Sequence, residues 1–261
     1  LLLCGSSGVN SRRQVGLSSA RLFARRIVLP LLQRSLSRQW VARTLEGGDF
    51  RFEQVVIEET LRHGDLGLFL TLHSRLVGPY IGELGSEALK QRLLPRIVSG
   101  ETILGVAMTE PGAGSDVAGL KTRALRDGDD WVINGSKTYI SNGINGGAFV
   151  VAARTVPDKR HGIGLFVVEE GMEGFQRGRN LAKMGLKTQD TAELFFEDVR
   201  VPAGNVLGGP EKGFYSLMHF LAEERLISAC QAVAHGQIAF DITMDYILER
   251  KAFGRPIAAF Q

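Results

Sequence analysis

Two adjacent acids, Glu223 and Glu224, interrupt an otherwise apolar stretch, Gly213-Phe-Tyr-Ser-Leu-Met-His-Phe-Leu-Ala-Glu-Glu-Arg-Leu-Ile227. A carboxylate held among apolar side chains has its pKa raised and becomes a general base. Helical spacing places Glu224 on a stripe with Phe214, Leu217, Leu221 and Ser228. Glu223 falls on a neighbouring stripe with Ile227, Cys230 and Ala234, and periodicity does not choose between the two acids. A second stretch, Met108-Thr-Glu-Pro-Gly-Ala-Gly-Ser-Asp116, forms a sharp turn bearing hydroxyls and free backbone N–H groups. Such a turn approaches a planar ligand closely and donates several hydrogen bonds; without a ligand it is a surface hairpin. It is not a nucleotide loop. Val117 stands where a dinucleotide fingerprint needs its third Gly, and Leu120 separates Gly119 from Lys121-Thr122 where a phosphate loop needs direct succession.

The elements that must position these groups change character along the chain. From about Phe50 to Gly100 the pattern is helical, with Phe52, Val55, Val56 and Glu59 beginning one amphipathic run. Ser86-Glu87 provides an N-cap and a first-turn acid ahead of Leu89, Leu93 and Leu94, and Pro95 limits how far that helix continues. From Ile103 to about Val201 short β-type runs follow: Trp131–Ile133, Thr138–Ile140, Phe149–Ala152, Gly164–Val168 and Leu194–Phe196. Asp127-Gly128 and Asn134-Gly135 between them carry the strongest short-range hairpin signal. Strands so spaced predict a small antiparallel barrel or sandwich. After Gly208-Gly-Pro210 the helical pattern returns and runs to about Lys251.

The 261 residues, 44% hydrophobic and 23% charged, are those of a globular chain able to bury a core and hold two domains. No stretch reaches the roughly 18 apolar residues of a membrane span. Cys4 and Cys230 are too few and too far apart for a disulfide framework or a metal site, which points to a reducing intracellular compartment. Residues 1–45 hold eight arginines and no acid, so the remainder carries 23 of the 31 Lys+Arg against all 28 Asp+Glu, a net of −5. A nucleic-acid role for the folded body is therefore not expected. The basic end, Leu1 to about Gln39, reads either as an organelle-targeting segment or as a helix with an irregular lead-in, Arg21 to Pro30. Since the chain starts without Met, it reads as a fragment or a processed form.

Four motifs in order, Met108 to Asp116, Asn134-Gly-Ser-Lys-Thr-Tyr-Ile-Ser-Asn-Gly143, Lys187-Thr-Gln-Asp-Thr-Ala-Glu-Leu-Phe-Phe-Glu-Asp-Val-Arg-Val-Pro202 and Glu249-Arg-Lys-Ala-Phe-Gly254, resemble the acyl-CoA dehydrogenase family over about Phe50 to Gln261. The resemblance implies an α+β multidomain fold: an N-terminal helical domain, a middle antiparallel β-barrel and a partial C-terminal helical bundle. The expected boundaries are 1–48 for the basic lead-in, 49–104, 105–208 and 209–261. It also implies an FAD flavoprotein. Met108, Thr109, Gly114 and Ser115 match the stretch lining the flavin and the thioester end, and Tyr139-Ile140-Ser141 matches the second flavin-contacting strand. Family members there usually have Trp-Ile-Thr; Tyr139 keeps an aromatic face and Ser141 a hydroxyl. Arg250, Phe253 and Gln261 match residues around the FAD pyrophosphate, contributed across a subunit interface, where a planar guanidinium suits phosphate.

In the long-chain and isovaleryl-CoA branches the catalytic Glu lies on this helix directly before an Arg, and Glu224-Arg225 resembles that arrangement. Elsewhere in the family it lies later in the bundle. The implied chemistry is α,β-dehydrogenation of an acyl-CoA thioester, with Glu224 removing the α-proton while the β-hydrogen leaves as hydride to the flavin. Ser115, Arg160, His161, Tyr215 and Arg225 become candidates for contacts to the CoA part. The implied partners are an acyl-CoA substrate, electron-transfer flavoprotein as electron acceptor, and further copies in a dimer of dimers, in the mitochondrial matrix or a bacterial cytoplasm. Lys212 to Tyr215 and Lys187 to Thr191 lean toward the long-chain branch. Two departures qualify the match. Val41 to Asp49 is shorter than the family's corresponding segment, and the sequence given stops just past the Arg250 motif, short of the family's remaining bundle helices. The expectation is an exposed apolar stripe on helix 212–251 and weak FAD binding by this piece alone. An acyl-CoA oxidase or flavin monooxygenase on the same fold, or a non-catalytic truncated isoform, are the alternative readings.

Overall fold

A computed structural model describes residues 49–62, 69–157 and 159–260. The basic lead-in, residues 1–48, and the Gln261 assignment lie outside the described residues. Helix α1 (Phe50–Arg62) is followed by a π-helical turn (Leu72–Val77) that runs directly into α2 (Gly78–Leu84). Helix α3 spans Glu87–Ser99. Its N-cap is Ser86, whose hydroxyl accepts the Leu89 N–H at 3.3 Å, and Gly100 ends it in the left-handed region at φ 77°. Pro95 does not stop α3, contrary to expectation. It lies on the exposed face, while Leu89, Leu93 and Ile97 hold the buried face.

The face α1 buries also differs from the expected one. Ile57 and Leu61 are buried together with Glu53, whereas Val55 is exposed and Glu59 lies at the surface. A carboxyl group therefore sits in the seam where the pattern demands an apolar side chain.

Strands β1 (Leu104–Ala107), β2 (Arg123–Asp127), β3 (Asp130–Ser141), β4 (Ala148–Arg154), β5 (Ile163–Glu169), β6 (Phe175–Arg177), β7 (Thr191–Val201) and β8 (Val206–Leu207) form one sheet. Its order is β6-β7-β3-β2-β4-β5-β8, with β1 added alongside β4. Most neighbours are antiparallel; β1–β4 and the short β2–β4 contact are parallel. Asp127-Gly128 turns the β2–β3 hairpin as expected, with Gly128 at φ 62°. Asn134-Gly135 does not make a hairpin. It lies inside β3 opposite a bulge in β7, for Ile133 pairs with Val199 and Gly135 with Phe196, leaving Asn134 against Glu197 and Asp198. Gly135 takes φ 147°, and a Cβ there would lie 2.6 Å from the Thr122 hydroxyl, so the close approach of β3 to that segment requires Gly.

Strands β4 and β5 have both faces covered, which is why they read as unbroken apolar runs. Ala148, Val150, Ala152, Ile163, Leu165 and Val167 belong to the core shared with the helices. Phe149, Val151, Ala153, Phe166 and Val168 point to the other side, against Ile133, Leu194, Phe196 and Val199. His73 ties the π-helical turn to this sheet. Its Nδ1 accepts the Leu104 N–H at 3.0 Å, leaving Nε2 to donate to the Ile97 carbonyl at 3.1 Å. Burial holds the ring neutral by lowering its pKa, which the bond to Ile97 opposes.

Helix α4 (Gly213–Glu249) then crosses the N-terminal helices. It buries Gly213, Leu217, Phe220, Ile227 and Ala234, drawing on the stripe of Glu224 through Leu217 and on that of Glu223 through Ile227 and Ala234. From Val233 onward its large side chains stand open: Val233, Phe240, Ile242, Tyr246 and Leu248 are all more than half exposed, the apolar surface anticipated from the sequence. A small hairpin, β9 (Lys251–Ala252) and β10 (Arg255–Pro256), folds back on the end of α4, where the Arg250 carbonyl accepts the Ile257 N–H at 2.8 Å.

Candidate active site

The Met108–Asp116 turn is fixed from beneath by a buried ion pair. Lys137, wholly buried on β3, donates from Nζ to Glu110 Oε1 at 2.8 Å and to the Met108 carbonyl at 3.0 Å. Glu110 also accepts the backbone N–H groups of Lys121 at 2.6 Å and Thr122 at 3.0 Å, so its carboxylate is ringed by donors. Burial alone would raise its pKa, but Lys137 and the backbone donors hold it below the usual carboxylate range. For Lys137 burial is the larger effect and lowers the ammonium to about 8 against the pull of Glu110. The turn closes on itself through paired bonds between Glu110 and Ala113, and the Thr138 N–H donates to the Thr109 carbonyl at 2.9 Å. Neither Glu110 nor Lys137 stood out in the sequence.

The structure thus brings together the two stretches assigned to a flavin. Tyr139 is the position where they meet solvent. Its φ is 58°, in the left-handed region that an aromatic residue rarely enters, and its ring is 70% exposed. Such a conformation costs about 1–3 kcal/mol and persists where surroundings over-determine it. Ile140 is buried, leaving it a backbone role beside any ligand, while Ser141 is half-buried. Across from them, Met108 and Thr109 are half-buried, Gly112, Gly114 and Ser115 are exposed, and added Cβ atoms at Gly112 or Gly114 would meet nothing within 4 Å.

A second group lies on the surface where the turn ends. Arg160 reaches Asp116 at 3.7 Å, next to Ser115. His161 stacks on Phe214 with ring centroids 4.0 Å apart, and the Tyr215 hydroxyl lies 3.5 Å from its Nδ1. Ser115, Arg160, His161 and Tyr215 therefore share one exposed surface at the start of α4. Arg250 and Phe253 do not join either group. They sit 26 and 29 residues beyond Glu224, in the hairpin at the far end of a helix that rises about 1.5 Å per residue. Phe253 is 96% exposed at φ 50°.

The adjacent acids divide sharply. Glu223 Oε1 pairs with Arg75 at 2.6 Å, and the Arg75 side chain is only 9% exposed. Glu53 lies in the same seam, its Oε1 buried without a hydrogen-bond partner. Burial pushes Glu53 up to about 7, with Arg75 pulling it down and Glu223 pushing it further up. Glu224 makes no hydrogen bond or ion pair among the described residues. Burial raises its pKa, and neighbouring Arg225 opposes that. Tyr80 packs on Phe220 at 4.3 Å, and its phenol is held above its ordinary pKa first by burial and then by the charge of Glu224, so the two lie close. A separate cleft lies between α1 and α4, walled by Ile57, Leu61, Phe69 and Leu70 and by Gln231, seven residues beyond Glu224.

A helical layer, a mixed sheet whose turn and strand present an exposed aromatic, and a long helix carrying an unpaired, part-buried acid define the acyl-CoA dehydrogenase family, and the chain belongs to it. The models of that family's N-terminal, middle and C-terminal domains match residues 43–101, 105–199 and 211–261. The crystal structure of an acyl-CoA dehydrogenase from Geobacillus kaustophilus superposes with a TM-score of 0.81 at 40% identity, covering 98% of this chain and 74% of that one. Among curated proteins the chain is 48% identical over 218 residues to the mitochondrial long-chain specific acyl-CoA dehydrogenase of Sus scrofa, 82% of this chain and 51% of that protein. It is 42% identical over 212 residues to the mitochondrial isovaleryl-CoA dehydrogenase of Pongo abelii, 79% and 50%. The chain spans about half the length of these curated relatives.

The residues present fit the flavin that the family implies. An exposed aromatic held at positive φ, opposite a turn whose glycines leave open space, offers one face and one edge to a planar ring.

Proposed function

We propose that the whole protein dehydrogenates acyl-CoA thioesters between Cα and Cβ, using FAD, with Glu224 as the base at Cα. The observation that carries this reading is the division of the two acids: Glu223 is paired with Arg75, and Glu224 is part-buried without a partner among the described residues. Burial disfavours the charged form of Glu224, so the carboxylate is a stronger base than an exposed one and takes a proton from carbon more readily. FAD, when bound, supplies the acceptor for the hydride from Cβ. Tyr139, Met108, Thr109, Gly114, Ser115 and Ser141 are the residues to hold its ring, with Ile140 contributing backbone only. Lys137 and Glu110 keep the turn and β3 in register so that this surface exists before the cofactor arrives. Ser115, Arg160, His161, Tyr215 and Arg225 are proposed to contact the CoA part. The cleft past Glu224 is the proposed seat of the acyl chain; Gln231 lies two helical turns, about 10 Å, along the same face of α4.

Arg250, Phe253 and Gln261 are proposed to serve the FAD pyrophosphate of another copy, in a dimer of dimers. The place of Arg250 and Phe253 past the far end of α4 from Glu224 supports a role in trans. Electron-transfer flavoprotein is the proposed acceptor of the electrons, and the mitochondrial matrix the proposed location, with a bacterial cytoplasm as the other. The four units proposed are 1–48, 49–104, 105–208 and 209–261. The test is Glu224→Gln in the flavin-loaded protein, followed by anaerobic bleaching of the flavin absorbance with a panel of acyl-CoAs. The expected result is retained FAD and bleaching slowed at least 1000-fold; unchanged bleaching refutes the assignment of the base.

A further inference from the structure

Tyr139 stands where β3 loses its pairing with β7. The ladder breaks between the pairs Lys137–Leu194 and Ile140–Ala192, and beyond the break only Ile140–Ala192 and Ser141–Thr191 remain. Lys137 and Glu110 anchor the near side of the break. On the far side the chain turns away at once, with Asn142 at φ 60° in the left-handed region that Asn enters more readily than most residues. A strand end held by two pairs frays unless something closes it.

The closure is a buried relay of side-chain amides. Asn142 is 8% exposed, and its Nδ2 donates to the Leu104 carbonyl at 2.8 Å. A carbonyl only accepts, so Asn142 must turn its Oδ1 the other way, where it needs a donor. Gln189 supplies it: Nε2 donates to Asn142 Oδ1 at 2.7 Å and to the Asp190 carbonyl at 3.2 Å. The same Asp190 carbonyl accepts the Asn142 N–H at 3.3 Å. Gln189 is itself buried, and it stands in the wall of the cleft between α1 and α4. Other groups tie down the backbone around it. Lys183 Nζ donates to the Gln189 carbonyl and, at 2.7 Å, to the Thr191 hydroxyl, while the Asp190 carboxylate accepts the Ile144 N–H at 2.7 Å. Removing the Gln189 carboxamide therefore leaves its loop anchored and strips one donor from Asn142.

We propose, resting on the reading of Tyr139 to Ser141 as the flavin strand, that Gln189 is a positioning residue for the flavin. Through Asn142 it closes the end of β3 from the wall of the acyl cleft, and so fixes where Tyr139 and Ser141 meet the ring. In Gln189→Leu the wall keeps nearly its volume, but Asn142 Oδ1 is left buried without its donor, a state costly enough to shift the strand end.

The experiment measures FAD affinity, the visible flavin spectrum, Tm, and anaerobic bleaching with hexanoyl-, decanoyl- and hexadecanoyl-CoA on the whole protein. Gln189→Leu is expected to weaken FAD binding about 10-fold or more, to shift the spectrum of the bound flavin, and to slow bleaching to a similar degree with all three chains. Asn142→Gly, which keeps the left-handed backbone without the side chain, is expected to do the same. Adding Gln189→Leu to it should then change FAD affinity by less than about twofold, because the two residues act in series. A lower Tm in Gln189→Leu with unchanged FAD affinity and spectrum overturns the proposal, since the residue is then structural only. Slowing confined to the longest chain, which marks a cleft wall and nothing more, overturns it too, as do losses that add in the double variant. Should Gln189→Leu not fold, Asn142→Gly decides, and unchanged FAD affinity there is equally contrary. Ser141→Ala separates the two levels of inference. A changed spectrum in Ser141→Ala with none in Gln189→Leu removes the role of Gln189 alone, whereas no change in either removes the flavin assignment of the strand along with it.

Discussion

Replacing Lys137 by Met should be among the most damaging single substitutions in the sheet. The side chain is wholly buried, and its ammonium serves both Glu110 and the Met108 carbonyl. Met fills nearly the same volume, so the cavity effect is small and the loss is electrostatic. Glu110 would keep its two backbone donors but lose the cation that compensates it in the interior. Removing one partner of a buried pair costs about 3–5 kcal/mol. For a chain of this size each kcal/mol corresponds to roughly 2–4 °C in Tm, giving a fall of about 6–20 °C. The companion Glu110→Gln/Lys137→Met removes both charges and should recover more than half of the loss. Thermal unfolding followed by circular dichroism reads both, and FAD affinity should fall with the single variant because the Met108–Asp116 turn is released. A Lys137→Met Tm within 2 °C of wild type, or a double variant no more stable than the single one, would refute the view that this pair holds the turn.

Two further substitutions probe strain and charge. Tyr139→Gly removes the cost of a positive φ and should raise the stability of the cofactor-free chain by up to about 1 kcal/mol in denaturant titrations, while weakening FAD binding at least 10-fold. Loss of stability together with unchanged FAD binding would show that Tyr139 is held for packing instead. Glu53 gives the seam a pH dependence of defined sign. Its folded-state pKa is raised from the model-peptide range to about 7, so the folded chain holds this proton longer than the unfolded one. Its contribution is fully present below about pH 4.5 and is lost as pH rises through 7, at most about 3 kcal/mol. Glu53→Gln should flatten stability between pH 5 and 8; an equally steep decline in that variant assigns the dependence to other groups.

Much of the architecture was legible because burial on two faces leaves a plain mark. Strands β4 and β5 read as continuous apolar runs since the helices cover one side and the rest of the sheet covers the other. Asp127-Gly128 announced its hairpin because a left-handed Gly is needed there. Asn134-Gly135 carried the same signal for a different reason: Gly is required by the approach of Thr122, and a dipeptide does not say whether its left-handed or extended residue closes a turn or lies opposite a bulge. Pro95 shows a similar ambiguity. A proline weakens a helix through its missing N–H and its ring without always ending it, and here the buried contacts of Leu93 and Ile97 on either side carry α3 past it.

Charges placed inside were the hardest to read, and they are what distinguishes the site. Arg75, Glu110 and Lys137 are charged side chains at core positions, each compensated by a partner far off in sequence: 148 residues separate Arg75 from Glu223, and 27 separate Glu110 from Lys137, while Glu53 is buried with its pKa raised. Periodicity rates such residues as surface. The consequence for α4 is specific. Periodicity did not choose between its two acids, and the packed face draws on both stripes, Leu217 from that of Glu224 and Ile227 and Ala234 from that of Glu223. Arg75 pairs with Glu223, and Glu224 stays part-buried beside Tyr80. Which of the two acids is paired depends on where the π-helical turn places Arg75, and a helical period carries no such information.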